Sequence, residues 1–186
     1  MANMLIVHGG APTAVINASL YGAVKEAKKH ACIDKIYAAI GGSGAVIRER
    51  FLDMKTVDEE RLELLPFTPA SAIGTSRDHL EPEDYRAIAR VVHKHGIKYV
   101  FFNGGNGSMD ACGKVYNACR ELGVEVQVVG IPKTIDNDIA VTDHAPGFGS
   151  AARYIAAITS EVSQDVRSLP IHVSVIEAMG RNAGWI

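Results

Sequence analysis

The chain has 186 residues, 47% of them apolar and 22% charged, and carries a formal net charge of −2. That balance belongs to an ordinary globular chain long enough to bury a core. It argues against a polybasic binder of nucleic acid or of an anionic membrane surface.

Met4–Val7 is a short apolar run ending in His8-Gly9-Gly10-Ala11-Pro12, and Val15–His30 then shows helical spacing. Lys35–Ile40 predicts a second strand that ends in Gly41-Gly42-Ser43-Gly44. A more polar section, 48–80, holds a small helix near 57–64 and the loop "PFTPASAIGTSRDHL". Pro82–His95 predicts a helix with proline in its first turn, closed by Gly96. Tyr99–Asn103 is a strand, "GGNGS" a loop, Met109–Leu122 a helix and Val124–Ile131 a strand. After "PKTIDNDIAVTD", residues 147–168 predict a long helix, and Ile171–Ala178 a last strand. Strands apolar throughout and joined by helices imply an α/β fold: a Rossmann-like three-layer sandwich with a mostly parallel sheet. Ligands of such sheets bind beyond the carboxyl ends of the strands, where every glycine-rich or charged loop falls.

Cys32, Cys112 and Cys119 are odd in number and form no C-x-x-C, so neither a disulfide framework nor a zinc site is expected. No charged-then-apolar leader opens the sequence, and no apolar run is long enough to span a bilayer. Cytoplasm is therefore the expected compartment, with neither nucleic acid nor membrane as partner.

The loops carry the chemistry. Gly104, Gly105 and Gly107 let a backbone approach a ligand closely, and the helix start beyond them suits a phosphate. The alternative is a plain tight turn. No lysine follows as in a P-loop, and Asp110 stands where a dinucleotide fingerprint needs its third glycine. "HGGAPTAVINAS" is a second glycine turn entering a helix. Arg77 in "GTSRDHL" offers a planar fork for phosphate oxygens, though most such arginines are simply solvated. In "PKTIDND", Asp136 and Asp138 alternate along the backbone: one carboxylate could accept a proton from an attacking hydroxyl, the other could hold a divalent cation. Lys133 brings a compact charge for a phosphoryl oxygen and Thr134 a hydroxyl. The competing reading is a polar turn capped by its own side chains.

Taken in order, Gly9-Gly10 with Ala11-Pro12 and Asn17, Gly74–Arg77, Gly104–Ser108, Pro132–Asp138, Gly147–Gly149 and Met179-Gly180-Arg181 resemble the 6-phosphofructokinase family. The resemblance implies phosphoryl transfer to the 1-hydroxyl of fructose 6-phosphate with Mg²⁺. It implies Asp136 as proton acceptor, aided by Lys133 and Thr134. The sugar phosphate is held by Thr134, Asp136, Met179, Gly180 and Arg181, and the donor by Gly10, Arg77, Gly105, Asn106, Gly107 and Ser108. Asp138 and Asn106 fall to the metal, and Arg153 reaches a phosphate. His172 occupies a substrate-contact position where many members carry an arginine that reaches the neighbouring subunit's substrate. Asn106 replaces a usual aspartate, and Gly42 a nucleotide-side aromatic of some members.

The donor expected is ATP, because glycine at 107 leaves open the space that a bulky acid fills in pyrophosphate users. Pyrophosphate is the alternative, since Lys133 is typical of those users. A non-catalytic nucleotide- or phosphate-binding module is a third reading. Members of the family continue well past Met-Gly-Arg, so the chain is expected to be the N-terminal part of a phosphofructokinase fold, truncated and inactive alone. Residues 1–147 would form an incomplete donor-binding domain and 148–186 the beginning of the sugar-phosphate domain. The full-length parent is expected to be a homo-oligomer.

Overall fold

The run of apolar residues at the N-terminus becomes β1 (Ala2–His8), and its side chains alternate between two separate cores. Leu5 and Val7 point into one, Met4 and Ile6 into the other, and all four are buried. A strand buried on both faces has no solvent side, which is why it reads as continuously apolar. The structure is a computed structural model that describes residues 1–180 and 182–186; Arg181, expected at the sugar, lies outside the described residues. Its contacts divide the chain into two compact units, Met1–Pro132 and Lys133–Ile186, ahead of the division expected at 147/148.

The first unit is an α/β layer structure. Its sequence of elements is β1, α1 (Ala14–Lys28), β2 (Ile33–Ala39), α2 (Ser43–Ile47), β3 (Phe51–Asp53), α3 (Glu59–Glu63), α4 (Pro82–Lys94), β4 (Ile97–Gly104), α5 (Asn106–Glu121) and β5 (Gln127–Pro132). Among the described residues these strands form one five-stranded sheet in the order β3-β2-β1-β4-β5. Pairing is parallel throughout, with Leu5 opposite Tyr37 and Val100 and Phe102 opposite Gly130, except that β3 runs antiparallel to β2. Leu20 and Val24 of α1 and Leu62 of α3 cover one face. Val46 of α2, Ile88 and Val92 of α4, and Val115 and Cys119 of α5 cover the other. Chain order reverses between β1 and β4, so the crevice at their carboxyl ends is the switch point of a doubly wound sheet.

Pro82 sits in the first turn of α4, where no N–H is needed, and Glu81 and Asp84 form a reciprocal capping box there. Burial raises the thiol of Cys119 to about 11 and pushes that of Cys112 up as well, while Cys32 is exposed. Among the described residues no helix is long and apolar enough to cross a membrane.

The second unit holds α6 (Phe148–Ser168), capped by a left-handed Gly147 and with none of its residues buried. The strand expected over Ile171–Ala178 is absent: the segment has no regular structure, with Val173 75% and Val175 89% exposed. The apolar alternation there is real. A strand, however, exists only through hydrogen bonds to a neighbour, and none of the described strands pairs with this segment.

Candidate functional site

At the switch point, the exits of β1 and β4 are locked to each other by glycines. The Gly9 amide donates to the Asn103 carbonyl at 2.9 Å. A Cβ built on either Gly9 or Gly104 would collide with Ser108 Oγ, and one on Gly104 would also meet the Gly9 carbonyl. Both backbones therefore approach the first turn of α5 at a distance only glycine permits. Gly10 is left-handed (φ 77°); its amide donates to the Ser76 carbonyl at 2.9 Å, and its carbonyl accepts from Thr75 Oγ1 at 2.9 Å.

Asn106, Gly107 and Ser108, read as loop in the sequence, are the first turn of α5. Gly105 precedes them as an extended N-cap whose carbonyl accepts from the Ser108 and Met109 amides. Gly105 has no side chain to cap this terminus, and the positive end of a 16-residue helix lies at the carboxyl rim of the sheet. Asn106 and Gly107 are exposed, and a Cβ built on Gly107 meets no atom within 4 Å.

Arg77 is exposed on a turn held from both sides. Asp78 Oδ2 accepts from Ser76 Oγ at 2.6 Å and from the Gly44 amide at 2.7 Å, and Ser76 is bridged to Gly9. Behind the rim, three buried polar side chains fix the loops. Asn17 donates to the Thr68 and Ala70 carbonyls and accepts from the Ala72 amide; Asn103 donates to the Ile16 carbonyl; His8 Nδ1 meets Ser71 Oγ at 2.8 Å. The roles of His8, Asn103 and Asp78 escape sequence reasoning. For His8 and Asn103 the available signal was a polar residue near the end of an otherwise apolar strand.

In the second unit, Lys133 and Asp136 are 5% and 6% exposed, although both belong to a charged loop. Thr134 and Asn137 stitch the loop. The Thr134 amide donates to the Pro146 carbonyl at 3.1 Å, and Thr134 Oγ1 accepts from the Asp136 amide at 3.1 Å. Asn137, left-handed at φ 51°, accepts from the Ala145 amide at 2.7 Å and donates to the Asp143 carbonyl at 3.3 Å. Asp136 Oδ1 is buried and has no hydrogen-bond partner among the described residues. Leaving a buried acceptor unsatisfied costs about 1–3 kcal/mol. A turn capped by its own side chains would have spent that oxygen on a backbone amide. Thr134 and Asn137 do the capping and leave Asp136 over.

Asp138 is exposed and lines a cavity of about 550 Å³ together with Asn137, Ile139, Gly180, Asn182, Ala183 and Trp185. Of the expected sugar-side residues, the structure thus brings Gly180 to Asp138. Met179 and His172 are exposed and do not line that cavity. At the loop's apex Val141 is also left-handed (φ 64°) and fully exposed. Among the described residues no group of three His, Cys, Asp or Glu side chains is assembled for a metal ion.

The sequence model of the phosphofructokinase family matches residues 3–186. A pyrophosphate–fructose 6-phosphate 1-phosphotransferase of Halomonas elongata is 38% identical over 99% of the chain and 46% of its own length. An ATP-dependent 6-phosphofructokinase of Amycolatopsis methanolica is 29% identical over 92% of the chain and 36% of its own length. The crystal structure of a pyrophosphate-dependent phosphofructokinase from Nitrosospira multiformis superposes with a TM-score of 0.90 at 39% identity, covering 98% of the chain and 47% of that protein. The chain thus spans about half the length of the curated relatives it matches.

Proposed function

The chain belongs to the phosphofructokinase family, and on that premise we propose that the intact protein transfers a phosphoryl group from ATP to the 1-hydroxyl of fructose 6-phosphate. The observation that carries this reading is Asp136, a buried carboxylate with an unpartnered oxygen on a loop that other side chains hold in place. Such an oxygen is kept for a proton donor outside the fold. Asp136 accepts the proton of the sugar 1-hydroxyl as the hydroxyl oxygen attacks the terminal phosphorus of the donor, whose bond to the bridging oxygen breaks so that ADP leaves. Lys133 offsets charge developing on the phosphoryl oxygens, and Thr134 orients the sugar. Gly10, Arg77 and Gly105–Ser108 hold the donor. Met179, Gly180, Arg181 and His172 hold the sugar phosphate. In this reading residues 1–147 serve the donor and 148–186 begin the sugar side of a cytoplasmic homo-oligomer.

Asn106 and Asp138 are hard oxygen ligands of the kind Mg²⁺ accepts. That ion takes one or two protein oxygens and fills its remaining positions with water and substrate phosphate. When bound, it neutralises phosphate charge.

Gly107 favours ATP, because the open space around it leaves room for a triphosphate at the α5 terminus. Pyrophosphate is the second reading, favoured by Lys133 and by the activity named for the Halomonas elongata relative. A coupled assay of the intact protein, with ATP and pyrophosphate side by side, tests both. Turnover with ATP, abolished by Gly107→Asp, supports the first; turnover with pyrophosphate alone supports the second. Asp136→Ser lowers kcat by about 10²–10⁴-fold and leaves the KM for fructose 6-phosphate within a few-fold. Undiminished turnover would remove Asp136 as the base.

A further inference from the structure

Asp136 and Asp138 differ sharply in exposure although one residue separates them, the first buried and the second open to the 550 Å³ cavity. The residue between them makes the difference possible. Asn137 holds a left-handed φ of 51°, a conformation that asparagine tolerates better than most side chains. Its side chain then reaches across to the returning arm of the same loop. Oδ1 accepts from the Ala145 amide at 2.7 Å, Nδ2 donates to the Asp143 carbonyl at 3.3 Å, and Ala145 itself is fully buried. One step further along, the Thr134 amide bonds the Pro146 carbonyl, and Gly147 opens α6. The two arms are thus joined twice, once through backbone at Thr134 and once through the Asn137 side chain. Asp136 lies between the two joints.

We propose that Asn137 is the positioning residue of the acid pair. Its amide fixes the loop so that the unpartnered Asp136 oxygen is held ready while Asp138 stays on the cavity wall. The inference rests on the phosphoryl-transfer reading given above. The side-chain amide of Asn137 is spent on the Asp143 carbonyl and the Ala145 amide. Its effect passes through the backbone it shares with both acids, and a misplacement of about 1 Å at a reacting group can cost about a hundredfold in rate.

Two variants of the intact protein separate the backbone from the clamp. Asn137→Gly keeps the left-handed turn at no steric cost and removes the side chain. Asn137→Asp keeps an acceptor oxygen for the Ala145 amide. With both substrates saturating, Asn137→Gly is expected to lower kcat by about ten- to a hundredfold, with the KM values of both substrates within about threefold. Hydrogen exchange should show the Ala145 amide losing its protection. Asn137→Asp should recover that protection and most of kcat.

A glycine variant that turns over within twofold of its parent overturns the proposal, whether or not Ala145 has lost protection. So does a glycine variant that fails to fold, since the side chain is then merely structural. Equal impairment of both variants with Ala145 protected in both overturns it too. A parent that transfers phosphoryl groups from neither donor sinks the functional reading and this role with it, a result distinct from an active parent matched by its glycine variant.

Discussion

Gly104 and Gly107 stand three residues apart and lack a side chain for opposite reasons. At Gly104 a Cβ would strike Ser108 and the Gly9 carbonyl, and a backbone carbonyl cannot swing away. Gly104→Ala should therefore destabilise the fold by about 1–3 kcal/mol, the usual cost of overpacking. At Gly107 a Cβ meets nothing, and the residue lies in the first turn of a helix, where alanine is the better former. Gly107→Ala should leave stability unchanged or raise it by up to about 1 kcal/mol. Urea unfolding of the two variants checks the pair, and a reversed order would mean the rim is packed differently. A glycine that stability does not require is one kept for the room it leaves, which is the argument made for the donor.

At the scale of elements, α4 is fastened to the turn between α2 and β3 by one carboxylate. Glu49 accepts from Lys94 Nζ at 2.7 Å and from His95 Nε2 at 2.7 Å, and the ring of His95 packs edge-on against Tyr37 and Phe51. Lys94, and after it His95, hold the Glu49 carboxyl below its ordinary value of 4.5. A lowered acid contributes stability that is complete above that ordinary value and is lost as pH falls through the folded-state value. Glu49→Gln should thus melt below its parent at pH 7, and the two melting curves should converge in acid. Because Glu49 is partly exposed, the gap should shrink in 1 M salt.

The elements themselves were largely legible, because parallel strands buried on both faces, such as β1, leave an unbroken apolar signature. β3 was not: three residues with a half-exposed Leu52 carry no period, and only pairing with β2 defines them. The start of α5 was misplaced because "GGNGS" has the composition of a loop, whereas close packing against Gly9 holds it as a helical turn. In the acid loop, the residue types were readable but not their division of labour. Composition cannot tell that Thr134 and Asn137 tie the turn while Asp136 is left over.

Across the whole molecule, burial is unevenly shared. The first unit holds two cores on either side of its sheet. The second has a 21-residue helix with no buried residue and a following stretch in which Leu169, Val173, Val175, Met179 and Trp185 are all exposed. Amide protection follows burial and cooperative packing. Hydrogen exchange on the 186-residue chain should therefore show β1 and β4 protected longest and α6 exchanging well before α1 or α5. Equal protection of α6 and α1 would contradict this ordering.

The apex at Val141 has a practical corollary. A β-branched residue in the left-handed region is an uncomfortable guest, and here it has solvent on every side. Below it the two strands of the loop are already riveted at 137 to 145 and at 134 to 146. An epitope tag or fluorophore-bearing peptide grafted between Ala140 and Val141 would hang from a closed stalk, reporting on the acid loop from outside without prising it open.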